Sequence, residues 1–143
     1  FRKMVEEFRL LGRFDIRDVN GRIVVFDMAH TKSSIENLVS ALRANFQGSS
    51  FVFLLAIMNG KDVAGMLPQI DGIAEKIVFT NAHENRGISA GDLEKMAVEL
   101  GLKSKIEVVE DCVEAYKNLL KNLEGDQVIV VTGSHFLVGR LMA

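Results

Sequence analysis

Tryptophan is missing from this 143-residue sequence, and cysteine, proline and tyrosine each occur once. A single thiol, Cys112, excludes an internal disulfide; it lies in a helical pattern where it serves as a small apolar filler, and a reducing, cytoplasmic setting is expected. Charge of one sign is also in short supply. The 17 basic and 19 acidic residues leave a net charge of -2 spread along the chain, so the sequence advertises no basic face of the kind a nucleic-acid backbone requires. No apolar run approaches the roughly 20 residues that cross a bilayer, and charges near the start stand where a signal peptide has its apolar stretch. Neither nucleic acid nor membrane is expected as a partner. Two nucleotide motifs are absent as well. No two glycines stand two apart, so there is no G-x-G-x-x-G, and there is no G-x-x-x-x-G-K-[ST]. The three histidines lack the close pairing of a metal site, and no metal ligand is assigned.

What is present is enough apolar residue, 48%, to build one core in a chain of single-domain size. Five short runs rich in Val, Ile and Phe read as strands buried on both faces: Ile23 to Phe26, Phe51 to Ala56, Ile77 to Thr80, Ile106 to Val109 and Val128 to Thr132. Helical stripes lie between them: Ile35, Leu38, Val39 and Leu42; Leu93, Met96, Ala97 and Leu100; Ala115, Tyr116, Leu119 and Leu123. Ser89 with Asp92 and Asp111 with Glu114 have capping-box spacing, and Gly101 and Gly125 mark expected helix stops. After Val63, the spacing of Val63, Met66, Leu67 and Ile70 is helical, but Pro68 should end or kink a helix near Leu67. Phe14 and Ile16 alternate with charged residues ahead of Asn20-Gly21, a hairpin signal. The expected fold is a three-layer, Rossmann-like α/β domain. Its six-stranded, mostly parallel sheet has one antiparallel edge strand and helices on both faces. Phe1, Met4, Val5, Phe8 and Leu11 recur at helical spacing before Gly12, so residues 1–12 are expected to form a linker helix from an upstream domain, and residues 13–143 the domain itself.

In such a sheet, ligands bind beyond the carboxyl ends of the strands. Asp27 and His30 follow one strand, Asn59 to Asp62 the next, Asn81, His83 and Arg86 the third, and Gly133, Ser134 and His135 the last. Each has a plainer reading. Asp27 could cap a helix, Gly133-Ser134 could be only a turn and N-cap, and Lys61, Asp62 and Arg86 could be solvated loop charges. Their convergence on one rim favours a site. A phosphoacceptor receiver domain does not fit, because the acid pair after the first strand is missing and Lys61 follows an early strand.

The rim residues form a further pattern. Gly12-Arg13-Phe14, Asp27-Met28-Ala29-His30, Lys61-Asp62, Arg86, and Gly133-Ser134-His135-Phe136-Leu137-Val138-Gly139 together resemble the C-terminal domain of folylpolyglutamate and dihydrofolate synthases, in the Mur ligase superfamily. The resemblance runs from Gly12 over nearly the whole chain. It implies part of an ATP-dependent amide ligase that phosphorylates a carboxylate and lets the amine of L-glutamate attack the acyl phosphate. ATP and Mg would be bound mainly by a missing central domain with a P-loop, and this domain alone would be inactive. The partners implied are L-glutamate and a folate, either dihydropteroate or tetrahydrofolate, in a cytoplasmic monomer. Carried over by motif, Arg13, Asp27 and His30 face the nucleotide, with His30 and Asp27 in the catalytic role. Lys61, Asp62, Arg86 and Ser134 serve substrate binding. The sequence departs from the family's Asp-Gly-Ala-His-Asn-Pro at Met28 and at Thr31-Lys32, and Phe136 stands where Tyr is common. Two other readings stay open: a Mur-type ligase for another amino acid, and a stand-alone, non-catalytic ligand-binding module.

Overall fold

A computed structural model describes residues 13–83 and 85–143; the expected linker helix over residues 1–12 lies outside the described residues. Chain order runs β1 (Asp15–Val19), β2 (Arg22–Phe26), α1 (Lys32–Asn45), β3 (Phe51–Leu55), α2 (Val63–Asp71), β4 (Ala74–Asn81), α3 (Ala90–Glu99), β5 (Lys105–Asp111), α4 (Cys112–Asn122), β6 (Val128–Thr132) and α5 (His135–Met142). The sheet has the order β1-β2-β6-β3-β4-β5. β1 pairs antiparallel with β2 and lies at one edge, while every other pairing is parallel. The hairpin forms because Asn20 and Gly21 both take positive φ, 53° and 81°, as a tight turn between twisted strands requires.

Side-chain alternation decides the layers. Along β3, Phe53 and Leu55 point into one core and Val52 and Leu54 into the other; along β6, Val128 and Val130 oppose Ile129 and Val131. The first core takes the stripes of α1, α2 and α3, including Ile35, Leu42, Met66, Ile70 and Leu93. The second takes α4 and α5 through Cys112, Ala115, Leu119, Leu137 and Val138. Each fully buried Leu or Ile contributes about 1.5–3 kcal/mol.

Caps fix where the helices begin. Thr31 and Ser34 form a capping box at the start of α1, and Asp62, Ser89, Asp111 and Ser134 each accept a backbone N–H at the start of α2, α3, α4 and α5. Gly101, at φ 71°, ends α3 in a Schellman turn, with Leu102 N–H donating to Ala97 O and Gly101 N–H to Val98 O.

Three expectations are corrected. Pro68 does not end its helix, because α2 continues to Asp71. Proline removes one N–H from the ladder, yet Val63, Met66, Leu67 and Ile70 are all buried on one stripe that spans the proline, and that packing holds the last turn. Gly125 is not the C-cap of α4; Leu123 caps it in extended conformation, and Gly125 turns the chain two residues later at φ 59°. Leu100 is 39% exposed rather than part of the α3 stripe.

Candidate functional site at the carboxyl ends of the strands

β6 enters between β2 and β3, so the exits of these three strands share one crevice. Gly133 permits their approach. It takes φ 98°, and a Cβ there would collide with the Ala56 carbonyl oxygen and lie 2.6 Å from Leu55 Cδ1; only glycine fits both demands. Its N–H donates to Ala29 O at 3.0 Å, and Asp27 N–H donates to Val131 O at 3.0 Å. Ser134 is fully buried, and its Oγ accepts Phe136 N–H at 3.1 Å, so it serves as the cap of α5.

Asp27 is a clamp rather than a helix cap, since Thr31 caps α1. One carboxylate oxygen accepts Phe14 N–H at 2.9 Å and the other accepts Ala29 N–H at 2.8 Å. Phe14 is held at φ 47°, a region costly for a residue with a side chain, and its ring is buried in the first core. The clamp thus seats Arg13 beside the exit of β2. Burial pushes the Asp27 carboxyl above its ordinary value of 3.8, against the pull of the Ala29 and Phe14 N–H groups and of the Arg13 charge.

His30 donates Nδ1–H to Met28 O at 2.9 Å; this places a proton on Nδ1 and leaves Nε2 for a ligand. Its ring stands edge-on to His135 at 6.2 Å, His135 lies 4.6 Å from Phe136, and Phe136 lies 5.0 Å from His83. The three histidines therefore lie along one chain of ring contacts, from His30 through His135 and Phe136 to His83. Lys61 and Arg86 are exposed on two loops that are knitted together. Asn59 N–H donates to Arg86 O at 2.7 Å, Ile88 N–H donates to Ile57 O at 2.9 Å, and Met58 bridges Gly87. Asp62 is spent on the cap of α2, accepting Gly65 N–H at 3.0 Å. Beside these loops, between α2 and α3, lies a cavity of about 730 Å³ bordered by Asn59, Lys61, Ile88 and Met96.

The predicted residues fall into two groups: Arg13, Asp27 and His30 around β2, and Lys61, Asp62 and Arg86 beyond β3 and β4. Ser134 lies buried at the end of β6. His135 and Phe136 join the rim without having been assigned a role, although the placement of every histidine at a strand end was their signal. Phe14 as the partner of Asp27 had no sequence signal. Among the described residues, no three His, Cys, Asp or Glu side chains converge as a metal site, and no helix is long and apolar enough to cross a membrane.

A sheet parallel but for one edge pair, with helices on both faces, defines a doubly wound α/β domain, and cationic and imidazole side chains stand at the carboxyl ends of its strands. Residues 12–135 match the family described as Mur ligase, glutamate ligase domain, and the chain belongs to that family. It is similar to the dihydrofolate synthase/folylpolyglutamate synthase of Escherichia coli strain K12, 24% identical over 133 residues that cover 93% of this chain and 30% of that protein. The folylpolyglutamate synthase of Thermotoga maritima matches at 32% identity and a TM-score of 0.79, over 92% of this chain and 29% of that one. The bifunctional folylpolyglutamate synthase/dihydrofolate synthase of Yersinia pestis, solved with Mn, AMPPNP and L-glutamate bound, shares the fold at a TM-score of 0.79 and 22% identity, over 92% of this chain and 30% of that one. The chain spans about 30% of the length of these relatives.

Proposed function

We propose that this chain is the C-terminal, glutamate-handling domain of an ATP-dependent amide ligase that adds L-glutamate to a folate. What supports the reading is the family match together with the rim: Arg13 and His30 stand around the exit of β2, and Lys61 and Arg86 on the loops after β3 and β4, all at the carboxyl ends of strands. These groups fit the anionic end of a nucleotide and the carboxylates of glutamate. ATP and its Mg would be held mainly by a P-loop domain outside this chain, where they would supply the phosphoryl group that activates the acceptor carboxylate. Within this chain, the Asp27 clamp holds Arg13 toward the phosphates, and His30 offers Nε2 to a phosphoryl or carboxylate oxygen. Lys61 and Arg86 receive the amino acid, positioned by their shared loop contacts. Ser134 acts through the cap that orients His135 and Phe136. In this reading the complete enzyme is a cytoplasmic monomer acting on dihydropteroate or a tetrahydrofolate.

The departures from the family motif have a local cause that leaves the fold intact. Thr31 supplies the N-cap and Lys32 the first helical position, a place where proline is also favoured. In the complete enzyme, His30→Ala should lower kcat/KM for glutamate-dependent ADP formation by at least about tenfold, as loss of one aimed polar group in a closed site costs more than about 1.4 kcal/mol. Near-normal kinetics would refute the role of His30. The chain alone should not turn over ATP with glutamate and a folate; turnover would show that no separate P-loop domain is needed.

A further inference from the structure

We infer that His83 is a positioning residue whose neutral imidazole sets the two loops bearing Lys61 and Arg86, so that acid releases them. The geometry is specific. His83 Nδ1 faces two backbone donors, Asn85 N–H at 3.2 Å and Arg86 N–H at 3.1 Å. A nitrogen that accepts hydrogen bonds carries no proton, so the ring is the neutral tautomer with its proton on Nε2. This is the reverse of His30, whose Nδ1 donates to Met28 O.

What His83 holds in place extends beyond its own turn. The carbonyl of His83 accepts Gly87 N–H at 3.2 Å, and Arg86 O accepts Asn59 N–H at 2.7 Å. Met58 bridges Gly87. The loop after β4 is thus tied to the loop after β3 that presents Lys61, and His83 Nδ1 is the side-chain acceptor at the origin of that chain. The ring is half-buried, edge-on to Phe136 at 5.0 Å. The cavity of about 370 Å³ on which it borders is also lined by Glu110 and Asp111 at the end of β5, by Cys112 of α4 and by Arg140 of α5. His135 packs on Phe136 as well. Among the described residues, these are the titratable and charged groups that share the surroundings of His83. None of them replaces Nδ1 as the acceptor for the turn.

Asparagine is the informative substitution. Its Oδ1 accepts N–H groups two and three residues on, the pattern of an Asx turn, and it does not titrate. His83→Asn should therefore keep the loops in place and remove their response to pH. His83→Ala removes the acceptor at every pH.

The assignment of the loops to substrate rests on the ligase reading, whereas the positioning itself does not, and the experiment separates them. Nitrogen-15 NMR of the 143-residue chain between about pH 5 and 8 should show His83 with Nδ1 unprotonated at the neutral end. The amide signals of Asn85, Arg86 and Asn59 should move on acidification with the same midpoint as the His83 ring. In His83→Asn these amides should stay put, and in His83→Ala they should be displaced throughout, with exchange at Arg86 faster by about fivefold to tenfold. Should the alanine variant fail to fold, the asparagine variant alone decides. A proton on Nδ1 at neutral pH, or amides of Arg86 and Asn59 that ignore the His83 titration, would overturn the inference. In the complete enzyme, KM for glutamate should rise by about fivefold to tenfold on acidification in the native protein and by less in His83→Asn. Loop signals that behave as expected beside identical KM profiles would uphold the positioning and refute the glutamate role of Lys61 and Arg86.

Discussion

Replacing Asp27 tests whether the rim is held by a half-buried carboxylate or only decorated by one. Its two oxygens accept Phe14 N–H and Ala29 N–H, and a hydrogen bond to a charged group contributes about 1.5–3 kcal/mol. Removal of the side chain leaves both donors without that acceptor, at about 1–3 kcal/mol each, and it also relieves the burial of the carboxylate, which is the larger influence on its ionisation. Asp27→Ala should therefore lower stability by about 2–3 kcal/mol, and Asp27→Asn, which keeps one acceptor but turns an NH₂ toward the other donor, by about 1–2 kcal/mol. With an m-value near 2 kcal/mol/M, the alanine variant should unfold at a urea concentration lower by about 1–1.5 M. Far-UV circular dichroism follows this directly. The pH dependence supplies a second, signed test. Because burial raises the Asp27 carboxyl above 3.8, the folded chain binds more protons than the unfolded chain between 3.8 and the raised value. Stability owed to Asp27 therefore falls as pH rises through that window, and the native protein should lose ground to Asp27→Asn as pH climbs from 3.8 toward neutrality. A urea shift below about 0.3 M for Asp27→Ala, or a gap between native and asparagine proteins that widens with rising pH, would refute the clamp.

Gly133 and Gly101 both take positive φ, yet their replacement should differ. Gly101→Ala has no neighbour within 4 Å and should cost only the left-handed backbone strain of about 1–2 kcal/mol, while Gly133→Ala, which meets Ala56 O and Leu55, should cost more than about 3 kcal/mol or prevent folding; equal melting temperatures for the two would contradict the close approach. Asp71 should respond to acid with the opposite sign to Asp27. Burial pushes its carboxyl up, but the Ser104 hydroxyl and N–H, the Lys103 N–H and the Lys103 charge together hold it below 3.8, so its contribution is present above 3.8 and lost as pH falls. The melting temperature of the native protein should drop more steeply than that of Asp71→Asn below that pH.

The elements were legible where local chemistry decides them. Asn20-Gly21 announced the hairpin because both residues tolerate positive φ, and the Ile35, Leu38, Val39 and Leu42 stripe of α1 is buried as its spacing required. Pro68 misled because the sequence shows both the ladder bond it removes and the helical spacing of Val63, Met66, Leu67 and Ile70 across it, but not that the burial of that stripe outweighs the lost bond. The strand-end position of the site residues was legible too, since it follows from alternating strand and helix. Their mutual contacts were not. Asp27 reaches Phe14 across 13 residues, and His30 meets His135 only because β6 lies beside β2, a placement that the succession of apolar runs leaves open.

The placement of β6 also governs how the domain can be made. The strand at the middle of the sheet is formed from residues 128–132, after all of its neighbours in chain order. Until it arrives, β1-β2 and β3-β4-β5 have no pairing to one another, and the facing edges of β2 and β3 offer unpaired N–H and C=O groups to any strand that passes. Synthesis from the N-terminus therefore delivers two separate sheet fragments first, and the crevice that gathers Ala29, Ala56 and Gly133 comes into being only when the last strand closes the gap. A chain stalled or cleaved before Val128 would lack the strand that joins the two fragments rather than one edge of a finished sheet.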